Sequence, residues 1–66
     1  MIWIMYKSQD NQQRGFTLDD KNTLRAKVEN NRGQNINEMI LGTDLKQQDI
    51  DSMIYCLEKL KIHVPE

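Results

Sequence analysis

The chain lacks the residues from which disulfides and metal sites are built. Its 66 residues include one cysteine, Cys56, one histidine, His63, and no CxxC pair. A single cysteine excludes an internal disulfide, and so few soft ligands argue against a structural zinc site. Chains of this size usually depend on a disulfide, a metal or a partner for stability. Because the first two are not expected here, we predict that the support comes from a partner, in a homodimer without metal or cofactor.

Long apolar runs and an excess of one charge are also missing. The apolar start MIWIMY spans residues 1–6, far fewer than the roughly 20 residues that cross a bilayer and too few for a signal-peptide core. Together with the free cysteine, this predicts a cytoplasmic protein that does not bind membranes. Nine basic and ten acidic side chains give a net charge of −1, which argues against a general binder of nucleic acid.

The two halves of the chain nevertheless differ in charge. Residues 1–34 contain six basic and four acidic groups, whereas residues 35–66 contain three basic and six acidic groups. Opposite charges on the two halves can attract each other across two subunits, although counts this small also arise by chance.

No pattern of catalytic residues stands out. Asp19 and Asp20 are adjacent, and neighbouring strand residues point to opposite faces. Cys56 falls beside an apolar helical stripe, where an inert thiol is the usual outcome, and His63 has no evident partner. A chain this short seldom forms the cleft that a catalytic site needs, so we expect no enzyme activity.

Alternating apolar residues predict an antiparallel hairpin in the first half. IWIMYK is typical of a strand, and in GFTLDDKNTLRAKVEN every apolar residue occupies an even position, which places them on one face of a sheet. If Leu18 opposes Leu24 and Phe16 opposes Ala26, the loop is residues 20–22 and ends in Asn22, which tolerates a left-handed conformation. A helix starting at Leu18 is the competing interpretation.

The second half predicts two helices. Asn35 and Glu38 have capping-box spacing ahead of INEMIL, and Gly42 can end that short helix. Asp44 and Gln47 have the spacing to cap the long one. Its apolar stripe follows the three-and-four spacing of a half-buried helix and consists of Ile50, Met53, Ile54, Leu57 and Leu60.

The predicted fold is therefore α+β, in a single small domain of residues 1–66. It consists of a three-stranded antiparallel meander (about 1–7, 14–18 and 23–29), a short helix (about 36–41) and a long C-terminal amphipathic helix (about 45–61).

The first strand is apolar on both faces, and one long helix can cover only one of them. The side with Trp3 and Met5 then needs another cover: the short helix, a second protein chain, or a ligand stacked on Trp3. Tyr55 lies about opposite the apolar stripe of the long helix, and exposed tyrosines are common anchors of interfaces.

We therefore predict a non-enzymatic protein-interaction module: a regulator, inhibitor or adaptor of the kind common in phage and other mobile-element genomes. It would dock on a partner protein through Trp3, Met5 and Tyr55, with Arg25 and Lys27 as the polar rim. The alternative is a regulator that binds nucleic acid through the basic strand face.

Overall fold

The computed structural model describes residues 2–66, which form an antiparallel meander sheet followed by one helix. Neighbouring strands in the sheet follow chain order, so each pair is joined by a hairpin. The elements are β1 (Ile2–Lys7), β2 (Gln13–Leu18), β3 (Leu24–Glu29), β4 (Asn35–Gly42) and α1 (Gln47–Lys61). Met1, which the prediction included in the first strand, lies outside the described residues.

The predicted hairpin is confirmed, and its register is the one deduced from the alternation. Leu18 pairs with Leu24 and Phe16 pairs with Ala26. The loop closes with a hydrogen bond of 3.0 Å from the Asn22 N–H to the Asp19 carbonyl. Asn22 has φ 57, the left-handed conformation expected at the end of such a loop. The competing helix at Leu18 is therefore wrong.

All three hairpins use the same three-residue loop. Each ends in a left-handed residue, at Asn11, Asn22 and Gly33. In each, that residue's N–H donates to the carbonyl of the residue three before it, at 3.0 Å. These positions are filled by asparagine or glycine because both accept a positive φ with little strain. The repeated turn chemistry sets the pairing next to each loop, and the β3–β4 pair then shifts register between Val28 and Glu29 and between Leu24 and Arg25.

The predicted short helix at residues 36–41 is wrong, because this segment belongs to β4. The supposed capping pair does not cap a helix, since the Asn35 amide donates to the Glu38 carboxylate instead, at 3.1 Å. A helix of six residues is marginal by itself, whereas β3 offers a complete row of unpaired backbone groups to a neighbouring strand. Pairing with β3 therefore decides the conformation.

The long helix is confirmed within two residues of its predicted start, but its cap is not the one predicted. Asp44 has φ 53 and lies before the helix. The Lys46 N–H instead donates to the Asp49 carboxylate at 2.8 Å. A carboxylate in the first turn both satisfies a free N–H and suits the positive end of the helix dipole.

The interior of the chain is very small. Among residues 2–66, the buried residues are Gly15, Thr17, Thr23 and Leu24, all in or next to β2 and β3, and α1 has no buried residue. Within residues 2–66, no helix is long and apolar enough to cross a membrane.

Candidate interaction surfaces

The strand register divides the side chains of the sheet between two faces. Directly paired residues point to the same side, so the pairs Trp3–Thr17 and Met5–Gly15 define one face. We call it the Trp3 face; it includes Trp3, Met5, Gly15, Thr17, Arg25 and Lys27, with Lys7 and Ile40 toward its ends. The opposite side, the apolar face, includes Ile2, Ile4, Phe16, Leu18, Leu24 and Met39, and the register also places the polar residues Arg14 and Asn37 near one end of it.

On the Trp3 face, four of the five predicted contact residues come together. Trp3 and Met5 are half-buried. The Lys27 ammonium lies 4.1 Å from the centre of the Trp3 ring, which is close enough for a cation–π interaction. Met5 crosses directly over Gly15, where any Cβ would overlap the Met5 sulfur and the Ile4 carbonyl oxygen. Glycine is therefore required for the close approach of β1 and β2 here.

Arg25 and Lys27 on this face are paired within the chain. Arg25 contacts the Asp19 carboxylate at 2.8 Å, and Lys27 contacts the Glu29 carboxylate at 2.7 Å. The hydrogen bond from Arg25, followed by that from the Thr23 N–H, lowers the pKa of Asp19 to about 2. The charges of this face are thus largely balanced before any partner arrives.

Tyr55 is not part of the Trp3 face. It lies on α1 with 61% of its surface exposed, and the Lys59 ammonium lies 5.4 Å from its ring. Because α1 begins beside the apolar face, Tyr55 and Trp3 belong to two separate surfaces of the protein.

The apolar face is much more open than the Trp3 face. Ile4, in the middle of β1, is 70% exposed. Further large apolar side chains on this side of the sheet are also exposed: Ile2, Phe16, Leu18 and Met39. Soluble monomers rarely expose a contiguous apolar patch larger than a few hundred Å². This face therefore resembles one side of a hydrophobic core that no other element covers.

The apolar stripe of α1 is equally uncovered beyond its first turns. Ile50 and Met53 are half-buried, but Leu57 is 59% exposed. Between the helix and the sheet lies an open apolar cleft of about 730 Å³. Its apolar lining includes Phe16, Leu24, Leu41, Leu45, Ile50, Met53, Ile54 and Leu57.

The total accessible surface area also shows that much of the apolar surface is uncovered. A compact protein of 7.8 kDa is expected to expose about 4,400 Å², whereas this chain exposes 5755 Å². The difference, about 1,400 Å², is large for a chain of this size. The Cα radius of gyration is 13.1 Å, against about 11 Å expected for 66 residues.

Sequence reasoning identified the residues of the apolar face and the α1 stripe but assigned them to a closed core. The even-position alternation correctly places Phe16 and Leu18 on one side, and the helical spacing correctly groups Ile54 and Leu57. Periodicity reveals which side of an element is apolar, but it carries no information about whether anything covers that side.

The candidate chemical residues form no recognisable centre. The Asp19 carboxylate accepts a hydrogen bond of 2.9 Å from the Lys21 N–H and so stabilises the β2–β3 loop. Cys56 is exposed and lies at the border of the cleft. Among residues 2–66, no group of three or more histidine, cysteine or acidic side chains could hold a metal ion. Comparisons with protein-family models, curated proteins and solved structures give no match.

Proposed function

We propose that this protein is a small interaction module, a regulator, inhibitor or adaptor, that acts by docking on a partner protein and that self-associates. The observation that carries the proposal is the shortage of interior: no large side chain is fully buried in the described part of the chain. A domain with so little interior gains little stability from burial by itself, whereas an interface can supply the missing contacts.

The docking mechanism would be occlusion of a partner's surface. Trp3 and Met5 on one surface and Tyr55 on a second surface supply rigid or adaptable apolar area, which is what interface anchors commonly provide. Arg25 and Lys27, already neutralised by Asp19 and Glu29, suit the rim of an interface, because paired charges bring few unbalanced groups into it.

A second candidate is a regulator that binds nucleic acid through the sheet. It is favoured by the presence of Trp3 and Lys27 on one face of the sheet, with the Lys27 ammonium over the Trp3 ring, since surfaces that bind single strands combine aromatic rings with cations. The pairing of Arg25 and Lys27 with carboxylates favours protein docking, because paired cations have less charge available for phosphates.

Sedimentation equilibrium of the purified protein at two salt concentrations tests self-association. We expect a mass near twice 7.8 kDa at micromolar concentration, nearly unchanged between about 50 and 500 mM salt, because apolar contacts are not screened. A chain that remains at its monomer mass up to about 100 μM would contradict self-association tighter than that concentration.

Tyr55→Ala tests the docking role of the helix. We expect the variant to keep the unfolding curve of the parent protein. We also expect it to self-associate more weakly, or to capture less partner protein in a pull-down, because an exposed tyrosine contributes to binding rather than to the fold. Gln48→Ala is the matched control, since Gln48 is also exposed on α1. Equal binding by both variants would remove Tyr55 from the interface.

A further inference from the structure

We infer that the apolar face of the sheet is covered by α1 of a second copy, in a two-fold dimer in which each helix packs on the partner's sheet. This inference rests on the proposed self-association and specifies its geometry. It assigns the interface to Ile4 and Phe16 of one copy and to Ile54 and Leu57 of the other.

The size of the uncovered surface fits a stable dimer. If each copy buried the excess of about 1,400 Å² over a compact chain of 7.8 kDa, the interface would total about 2,800 Å². Interfaces of that size belong to the class of obligate homodimers, which runs from about 2,000 Å² upward and resembles a domain core cut in two.

The two uncovered surfaces match each other in length and in chemistry. A helix of 15 residues is about 22 Å long, whereas the outer strands of a four-stranded sheet lie about 14 Å apart. One partner helix is therefore long enough to cross all four strands. Both surfaces are apolar, and packing a helix on a sheet is a standard way to close a two-layer core.

The shape of the apolar face also suits the packing of a helix from a second copy. Besides the cleft beside α1, this face has a depression of about 140 Å³ near its other end. Its lining includes the apolar side chains of Phe16, Val28 and Met39 together with Tyr6 and the polar residues Arg14, Lys27, Asn37 and Glu38. Recessed apolar sites at both ends of one face can receive successive side chains of a single helical stripe.

The link between sheet and helix explains why a chain does not cover its own face. Only Thr43–Lys46 separates β4 from α1, and the Leu45 N–H donates to the Asn22 carbonyl at 3.0 Å. The Leu45 side chain also packs close to Gly42. These contacts fix the direction in which the helix leaves the sheet, so most of its stripe stays free for another copy.

Charge supports the same pairing. The sheet segment, residues 1–42, has six basic and five acidic groups, whereas residues 43–66 have three basic and five acidic groups. The net charges are therefore +1 and −2. Helix-to-helix association would bring two acidic segments together, and the reciprocal sheet–helix dimer avoids this repulsion.

The inference is tested by complementation between two charge variants, Ile4→Lys on the apolar face and Leu57→Glu on α1. The two-fold dimer contains two equivalent sheet–helix contacts, and each variant alone places an unpaired charge in both of them. We therefore expect each variant alone to raise the dimer dissociation constant at least about 30-fold. In a 1:1 mixture the heterodimer confines both substitutions to one sheet–helix contact and leaves the other native. We therefore expect the mixture to regain at least about 10-fold of the lost affinity.

Gln13→Glu and Gln48→Glu are matched controls, since both side chains are exposed and lie away from the proposed contact; they should leave the dissociation constant unchanged. Failure of the mixture to associate better than either variant alone would overturn the geometry, while a wild-type dimer would leave self-association intact. A monomeric wild-type protein would instead overturn both.

An isotope-filtered NOE measurement on a mixed labelled and unlabelled wild-type dimer keeps the inference testable even if the variants do not fold. We expect intermolecular contacts between the methyl groups of Leu57 and those of Ile4. Intermolecular contacts confined to the Trp3 face or the strand edges, or Leu57–Ile4 contacts found only within one chain, would overturn it.

Discussion

Gly15→Ala is the substitution whose effect follows most directly from the structure. A Cβ at this position would lie 3.0 Å from the Met5 Cα and would overlap the Met5 sulfur and the Ile4 carbonyl oxygen. The sulfur ends a flexible side chain and can move. The carbonyl belongs to β1, so relieving that overlap requires β1 and β2 to separate.

The expected cost combines two opposing effects. Overpacking costs about 1–3 kcal/mol, while replacing a strand glycine by alanine returns about 0.5–1 kcal/mol of backbone entropy. Because the overlap is with a backbone oxygen, the overpacking cost falls in the upper part of its range, about 2–3 kcal/mol, and the net loss is about 1–2 kcal/mol. Against an expected total stability of about 3–10 kcal/mol for 66 residues, this is a large fraction.

Urea unfolding followed by the fluorescence of Trp3, the single tryptophan, measures this loss. With a slope near 1 kcal/mol/M for a small protein, the midpoint should fall by about 1–2 M, at a fixed protein concentration because self-association would contribute to stability. Gly33→Asn is the control: Gly33 has φ 78 and open space around it, and asparagine already fills the equivalent position, Asn22, in another loop. A midpoint for Gly15→Ala at or above that of the parent protein would refute the reasoning.

Two further predictions concern the charged residues. The hydrogen bond from Arg25 lowers the pKa of Asp19 to about 2, below the usual value of about 3.9, so its contribution to stability is present above about pH 4 and is lost as the pH falls toward 2. Asp19→Asn should therefore show a shallower loss of urea resistance between pH 5 and pH 2.5, and an unchanged slope would contradict this role. Lys27→Met removes the ammonium 4.1 Å from the Trp3 ring while keeping an unbranched side chain, so we expect changed Trp3 emission and an unchanged far-UV circular dichroism spectrum; identical emission would show that the cation does not contact the ring in solution.

Local sequence signals predicted the central hairpin and the long helix but missed the fourth strand. Phe16, Leu18, Leu24 and Ala26 alternate in a way that only a strand pair satisfies, and Asn22 provides the left-handed residue that the loop needs. Residues 36–41 gave a helical signal from Asn35 and Glu38, but their conformation depends on the free edge of β3. A short segment cannot signal such a distant partner.

For the candidate surfaces, too, some features follow from the local sequence and others only from the tertiary structure. The sequence by itself determined which side chains share a side, because a period of two on strands and of about 3.6 on a helix follows from backbone geometry. Whether those sides are covered depends on the direction in which α1 leaves the sheet. The Thr43–Lys46 link and the hydrogen bond from Leu45 to Asn22 set that direction, and only the tertiary structure reveals that it leaves Ile4 and Leu57 exposed.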